Sequence, residues 1–168
     1  SWKQIDRFKA KYKLPVILKG IATAEDAKLA CEHGVDVVYV SNHGGRQLDS
    51  VPPAIRLLPL IRAAVGPEFP LLFDSGIRNG EDIIKALALG ADFVMIGRPA
   101  LFALGAEGAA GLNALLSCFA TDISVVMAQL GITSIDQLGP NVIFQDASHA
   151  HVDAETKTQA ALRLAAKT

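Results

Sequence analysis

Cysteine is scarce in this chain, and that scarcity excludes two classes at once. Cys31 and Cys118 lie far apart, in segments that read as helical. That is neither a disulfide framework nor a metal-ligand spacing, so no metal site is expected. The two thiols read as helix residues in a reducing compartment. An excess of charge is lacking too. The chain carries 16 Lys and Arg against 17 Asp and Glu, a net charge of -1. Bulk electrostatics therefore offer no footprint for nucleic acid or an anionic membrane. The polar start Ser1-Trp2-Lys3-Gln4 shows no apolar stretch of the signal-peptide kind. An uninterrupted apolar run of about 18 residues is also missing. The longest apolar stretch, Pro99 to Ala120, is broken by Glu107, Asn113 and several glycines. The expectation is a soluble, cytoplasmic protein. With 168 residues, 51% of them hydrophobic, the chain can build one domain with a sizeable core.

What is present, above all, is a duplication. Leu14-Pro15-Val16-Ile17-Leu18-Lys19 aligns with Phe69-Pro70-Leu71-Leu72-Phe73-Asp74. With Ser75 as a one-residue insertion, Gly20-Ile21 falls on Gly76-Ile77, and Glu25-Asp26 on Glu81-Asp82. Ala30 then falls on Ala86, Gly34 on Gly90, Asp36 on Asp92 and Val38 on Val94. Each copy reads as a buried strand after a proline, a Gly-Ile turn, a helix (24–33 or 80–89) and a second buried strand (Val35–Val40 or Ala91–Ile96). A glycine stops each helix. Between the copies, Ile55, Leu58 and Ile61 have helical spacing within Pro52–Val65, and Gly66-Pro67 ends that stretch. Helices are expected near 110–130 and 153–166. Strictly alternating strands and helices predict an α/β protein with a parallel sheet covered by helices. Four such units make half of a (β/α)8 barrel, with two raw sheet edges and an uncovered inner face. A flavodoxin-like open sheet is the alternative, and the loops decide against it.

All strands of a parallel sheet end on one face, where α/β proteins build their sites. The strand-end residues here are Lys19, Ser41, Asp74 and Gly97. They lead into Ser41-Asn42-His43-Gly44-Gly45-Arg46-Gln47-Leu48-Asp49, Ser75-Gly76-Ile77-Arg78 and Arg98-Pro99. Singly, each has a dull explanation: a solvated lysine, a turn histidine, an arginine after a glycine. Together, at equivalent points of four successive strands, they predict one polar rim. Gly76 and Gly97 let backbone N–H groups approach an anion closely. Arg78 and Arg98 add bidentate donors suited to phosphate, and helix N-termini follow. A phosphate-bearing ligand is expected there.

The nine residues 41–49 resemble the signature of the FMN-dependent 2-hydroxy-acid oxidoreductases, the family of glycolate oxidase, lactate oxidase, mandelate dehydrogenase and flavocytochrome b2. Leu14 to Gly20 resembles that family's lysine-bearing strand, and Asp74 to Pro99 its flavin-phosphate segment. The phosphate segment alone also resembles inosine-monophosphate dehydrogenase, but those enzymes need a loop cysteine, and Cys31 and Cys118 fall in helices. The resemblance implies FMN as cofactor and oxidation of an (S)-2-hydroxy acid to a 2-oxo acid. It implies that His43 is the active-site base, touching the substrate and taking either its α-proton or its hydroxyl proton as hydride leaves. An imidazole suits both. It further implies that Arg46 grips the substrate carboxylate and that Lys19 stands beside flavin N1/O2, its charge stabilising the reduced ring. Ser41 corresponds to a flavin-ring contact. Asp74, Ser75, Gly76, Arg78, Gly97 and Arg98 correspond to ribityl and phosphate contacts.

Two departures from the family pattern stand out. Ser75 occupies a position where glycine is common, which tilts toward mandelate-type members, and Asn79 occupies one where a second arginine is common. The implied whole is strands five to eight of the barrel over residues 1–140, followed by a partly helical tail over 141–168. A family member is about twice as long. The first four units would supply two active-site tyrosines, a second substrate arginine and the aspartate that pairs with His43. The chain starts where the long loop after the fourth strand would end, and such loops attract proteolysis. Three readings of the chain follow: the C-terminal piece of a cut enzyme, a truncation pairing with itself, or a non-catalytic half-barrel acting as a phosphate- or nucleotide-binding module. The resemblance implies a homo-oligomer, a tetramer, as well as a partner N-terminal half. The absent loop leaves peripheral membrane attachment open.

Overall fold

Short apolar runs bounded by proline and glycine build one parallel sheet, and the helices between them cover one of its faces. The computed structural model describes residues 1–144. The elements are α1 (Trp2–Tyr12), β1 (Ile17–Ile21), α2 (Ala24–Glu32), β2 (Val37–Val40), α3 (Ala54–Val65), β3 (Leu71–Phe73), α4 (Gly80–Ala88), β4 (Phe93–Val94) and α5 (Arg98–Leu130). The strands lie in the order β1-β2-β3-β4, each pair parallel. This is the alternating α/β architecture of half a (β/α)8 barrel. The helix expected near 153–166 lies outside the described residues.

The duplication has a physical counterpart in both copies. Thr23 and Asn79 cap α2 and α4 by accepting from the backbone N–H of Asp26 and Asp82. Capping by such side chains is worth about 1 kcal/mol, and it gives Asn79 a structural task. Asp36 Oδ2 accepts from Val16 N at 2.7 Å and Lys9 Nζ at 2.7 Å. Asp92 Oδ2, its repeat partner, accepts from Leu71 N at 2.7 Å and Arg62 Nη2 at 2.6 Å. Each aspartate thus ties the start of its neighbouring strand to a cation on the preceding helix. Helix α1, which carries Lys9, therefore precedes the first copy as α3 precedes the second.

Register decides which strand residues face which side. Val38 pairs with Leu71 and Val40 with Phe73, and all four are fully buried. They pack against Ala27, Ala30, Leu58 and Ile61 from the helices. Burying each large apolar side chain contributes about 1.5–3 kcal/mol. The alternate residues Lys19, Tyr39, Leu72 and Phe93 are in register across all four strands and share the opposite face. That inner face is open at the two edge strands, where Ile17 is 54% exposed and Phe93 59%.

The three largest differences from the sequence-based expectation lie in the fourth strand, the last helix and the start of the chain. The fourth strand shrinks from Ala91–Ile96 to Phe93–Val94, although Met95 N still donates to Phe73 O at 2.8 Å. As an edge strand it has a partner on one side only. The helix expected near 110–130 starts at Arg98 and is interrupted at Glu107 and Gly108, where φ/ψ are -141/23° and 56/-138°. It packs on α4 so closely that a Cβ on Gly80 would sit 2.6 Å from Phe119 O. By length and composition it is the one helix among the described residues apolar enough to cross a membrane, which the expectation of a soluble chain did not foresee. Finally, α1 was not expected at all, because its surface is mostly polar and none of its residues is buried.

Candidate active site

The C-terminal ends of the four strands open into one cavity of about 450 Å³, within the size range of small-molecule sites. Of the ten residues singled out in the sequence, nine line it: Lys19, His43, Arg46, Asp74, Ser75, Gly76, Arg78, Gly97 and Arg98. Ser41 is set behind the wall, 2% exposed. Its Oγ accepts from Lys19 Nζ at 2.7 Å and from His43 N at 3.1 Å. It thereby couples the end of β1 to the start of the histidine loop.

The loop itself is a 3-10 turn, His43–Gly45, opened by an Asx-type cap in which Asn42 Oδ1 accepts from Gly44 N at 3.0 Å. His43 adopts φ 57° and Ser75 φ 84°, conformations uncommon for residues with a Cβ. Both line the cavity, and such strain collects at functional sites. At Ser75 the side chain offsets it. Ser75 Oγ accepts from Asn42 N and Gly44 N, each at 3.3 Å, and donates to Asp74 Oδ1 at 2.8 Å. The His43 ring packs over Gly20, where a Cβ would stand 2.6 Å from its Cε1. Arg98 Nη2 donates to Gly44 O at 2.6 Å, and Arg78 Nη1 to Ile77 O at 2.8 Å. Each guanidinium keeps further N–H groups for a ligand.

Electrostatics in the cavity run opposite to those of the whole chain. Lys19, Arg46, Arg78 and Arg98 face a single carboxylate, Asp74. Lys19 Nζ pairs with Asp74 Oδ2 at 3.0 Å, and Tyr39 Oη donates to the same oxygen at 2.9 Å. Burial pushes the Asp74 carboxyl up, but hydrogen bonding from Ser41, Ser75, Lys19 and Tyr39 outweighs it and holds the group below the usual carboxylate range. Burial, then the hydrogen bond to Asp74, pushes the Tyr39 phenol well above its ordinary value, so it stays a donor. Gly76 and Gly97 have open space where a Cβ would be. Gly97 also opens α5, whose first-turn N–H groups have no partner within the helix. Open backbone, free helix-start donors and surplus cations fit a phosphorylated, anionic group such as the FMN phosphate.

Some participants carry no motif signature. Tyr39, in mid-strand, joins the Lys19–Asp74 pair, and Gly20 receives the His43 ring. Met95, Ile77 and Leu101 supply apolar wall. Alternation along β2 puts Tyr39 on the side of Ser41, and register then sets it beside Lys19.

Comparison with known proteins agrees with this fold. An L-lactate dehydrogenase from Caulobacter sp. (strain K31) is 43% identical over 143 residues, which are 85% of this chain and 38% of that protein. A peroxisomal (S)-2-hydroxy-acid oxidase from Oryza sativa subsp. japonica is 47% identical over 138 residues, 82% of this chain and 38% of that protein. Among solved structures, the monotopic membrane protein (S)-mandelate dehydrogenase superposes with a TM-score of 0.83 at 38% identity, covering 87% of this chain and 39% of that one. Mandelate oxidase superposes at 0.76 with 43% identity, covering 81% and 40%. The chain thus spans under half the length of the relatives it matches. The model of FMN-dependent dehydrogenases matches residues 1–145, and this chain belongs to that family.

Proposed function

We propose that this chain supplies the base, a substrate arginine and the flavin-phosphate grip of an FMN-dependent enzyme that oxidises an (S)-2-hydroxy acid to a 2-oxo acid. The observation that carries the proposal is the cavity at the strand ends, where four cations and His43 surround one carboxylate. Gly76, Arg78, Gly97 and Arg98 would hold the phosphate. Lys19 would place its charge beside the flavin ring, with Ser41 fixing its direction. FMN, when bound, accepts the two electrons that leave the substrate. Arg46 would hold the substrate carboxylate with its planar fork and so present the α-carbon to His43. His43 Nδ1 or Nε2 would take the proton, the general-base role that a positioned imidazole commonly fills.

The proposal includes a partner, the preceding half of the barrel, to cover the inner face where Ile17 and Phe93 are more than half exposed. Without that wall the chain would bind phosphate but not orient a flavin ring, so it would be inactive alone. A homo-oligomer, as a tetramer, and a cytoplasmic location belong to the same proposal.

The test is single-turnover flavin reduction by lactate, glycolate and mandelate in the complete enzyme carrying His43→Gln. FMN should remain bound while reduction slows by about 10²–10⁴-fold, the usual contribution of a positioned base. A rate within about tenfold of the parent would remove His43 from that role.

A further inference from the structure

Tyr39 sits in β2 directly beside Lys19 of β1 and is 9% exposed. Three contacts surround the Lys19 ammonium: Ser41 Oγ at 2.7 Å, Asp74 Oδ2 at 3.0 Å and the Tyr39 ring, whose centroid is 4.6 Å from Nζ. An ammonium has three N–H donors. Two are engaged by oxygens, and one is left for the cavity that Lys19 lines. The phenol completes the arrangement by donating to Asp74 Oδ2 at 2.9 Å, the same oxygen that pairs with Lys19. A hydrogen bond from the phenol draws carboxylate charge toward itself and so weakens, without removing, the neutralisation of the ammonium.

We propose that Tyr39 is a positioning residue for Lys19, its ring backing the ammonium and its hydroxyl drawing on Asp74, so that the carboxylate neutralises less of the positive charge that the cavity sees. The inference rests on the proposed role of Lys19 beside FMN. It gives that role a tuning element: the phenol sets how strongly the site favours the negatively charged, reduced ring. Burial keeps the phenol protonated, so the device is a fixed donor rather than a switch.

Tyr39→Phe keeps the ring and its packing but frees Asp74 Oδ2 to pair fully with Lys19. Less charge then reaches the flavin, and reduction becomes less favourable. The measurement is the two-electron potential of bound FMN in the complete, flavin-loaded enzyme. Tyr39→Phe should shift the reduction equilibrium threefold to tenfold against the reduced form, tenfold being about 30 mV for two electrons. In an Asp74→Asn background, which removes the competing carboxylate, the same substitution should shift nothing, because the coupling runs through that carboxylate. A parent enzyme that binds no FMN would overturn both this inference and the functional proposal beneath it. A parent that binds FMN, with Tyr39→Phe leaving the potential unchanged or shifting it equally in the Asp74→Asn background, would overturn the role of Tyr39 alone.

Discussion

Replacing Gly20 by alanine should separate the cost of backbone strain from the cost of moving the base. Gly20 has φ 94°, and a Cβ there would stand 2.6 Å from His43 Cε1. The first effect is conformational: a left-handed backbone costs a residue with a Cβ about 1–2 kcal/mol. The second is steric. Ordinary contact begins at 3.4 Å, so the imidazole must retreat by the difference, about 0.8 Å, if the backbone holds. The struck atom belongs to an exposed side chain, so the clash adds little to the stability loss. Its consequence is catalytic, because a misplacement of about 1 Å can cost on the order of 10²-fold in rate. Gly66→Ala is the control. Gly66 has φ 88° with nothing within 4 Å of a Cβ, and it caps α3 away from the cavity. Chemical unfolding should show a loss for both variants, larger for Gly66→Ala, because the ψ of 169° that Gly66 takes at that φ is a conformation nearly confined to glycine. Stopped-flow flavin reduction in the complete enzyme should fall by about 10–100-fold for Gly20→Ala only. Equal reduction rates in the two variants would show that the ring's seat on Gly20 has no bearing on the base.

Further expectations concern the neighbouring charges. Arg46→Lys should raise KM and lower kcat/KM by at least about tenfold, since an ammonium cannot reproduce the fork; unchanged steady-state kinetics across several 2-hydroxy acids would count against the carboxylate assignment. Asp74 is held below its usual range in the fold, so its contribution to stability is complete above the unfolded value of about 3.9 and fades as pH falls through the folded one. The unfolding free energy of the parent should therefore lose ground to Asp74→Asn on acidification below about pH 4, and a difference independent of pH would contradict the network drawn around that carboxylate. Gly80→Ala should destabilise the fold by about 1–3 kcal/mol through overpacking against α5, leaving FMN affinity intact; wild-type unfolding midpoints would deny the close α4–α5 contact.

Much of this site was legible before any coordinates, because its residues sit at strand ends and strand ends are set by strong local signals. Proline, a short apolar run and glycine mark β1 and β3 in both copies of the duplication. The motif at 41–49 then supplies the histidine and an arginine of the candidate site, and the topology brings the other loops to them. Residues without such markers escaped. Tyr39 reads as one more strand apolar, and only register shows that it shares a face with Lys19. Gly20 reads as a turn glycine, and only the fold brings the His43 ring over it. Helix α1 escaped because its sequence is mostly polar: only Trp2 and Ile5 pack against the core, and its other ties are polar, Lys9 with Asp36 and Asp6 with His33 Nδ1 at 2.6 Å. The interruption of α5 at Glu107 and Gly108 is decided by backbone geometry that glycine permits without requiring.

The central claim is that this chain carries the chemistry but needs the rest of the barrel to perform it. The most direct measurement is substrate-driven bleaching of the visible flavin band, recorded for residues 1–168 alone and for the same residues joined to the preceding half. FMN with lactate, glycolate or mandelate should bleach only in the complete protein, and the lone chain should associate through its uncovered apolar face. A monomeric 1–168 that bleaches FMN with any of these acids would contradict the account.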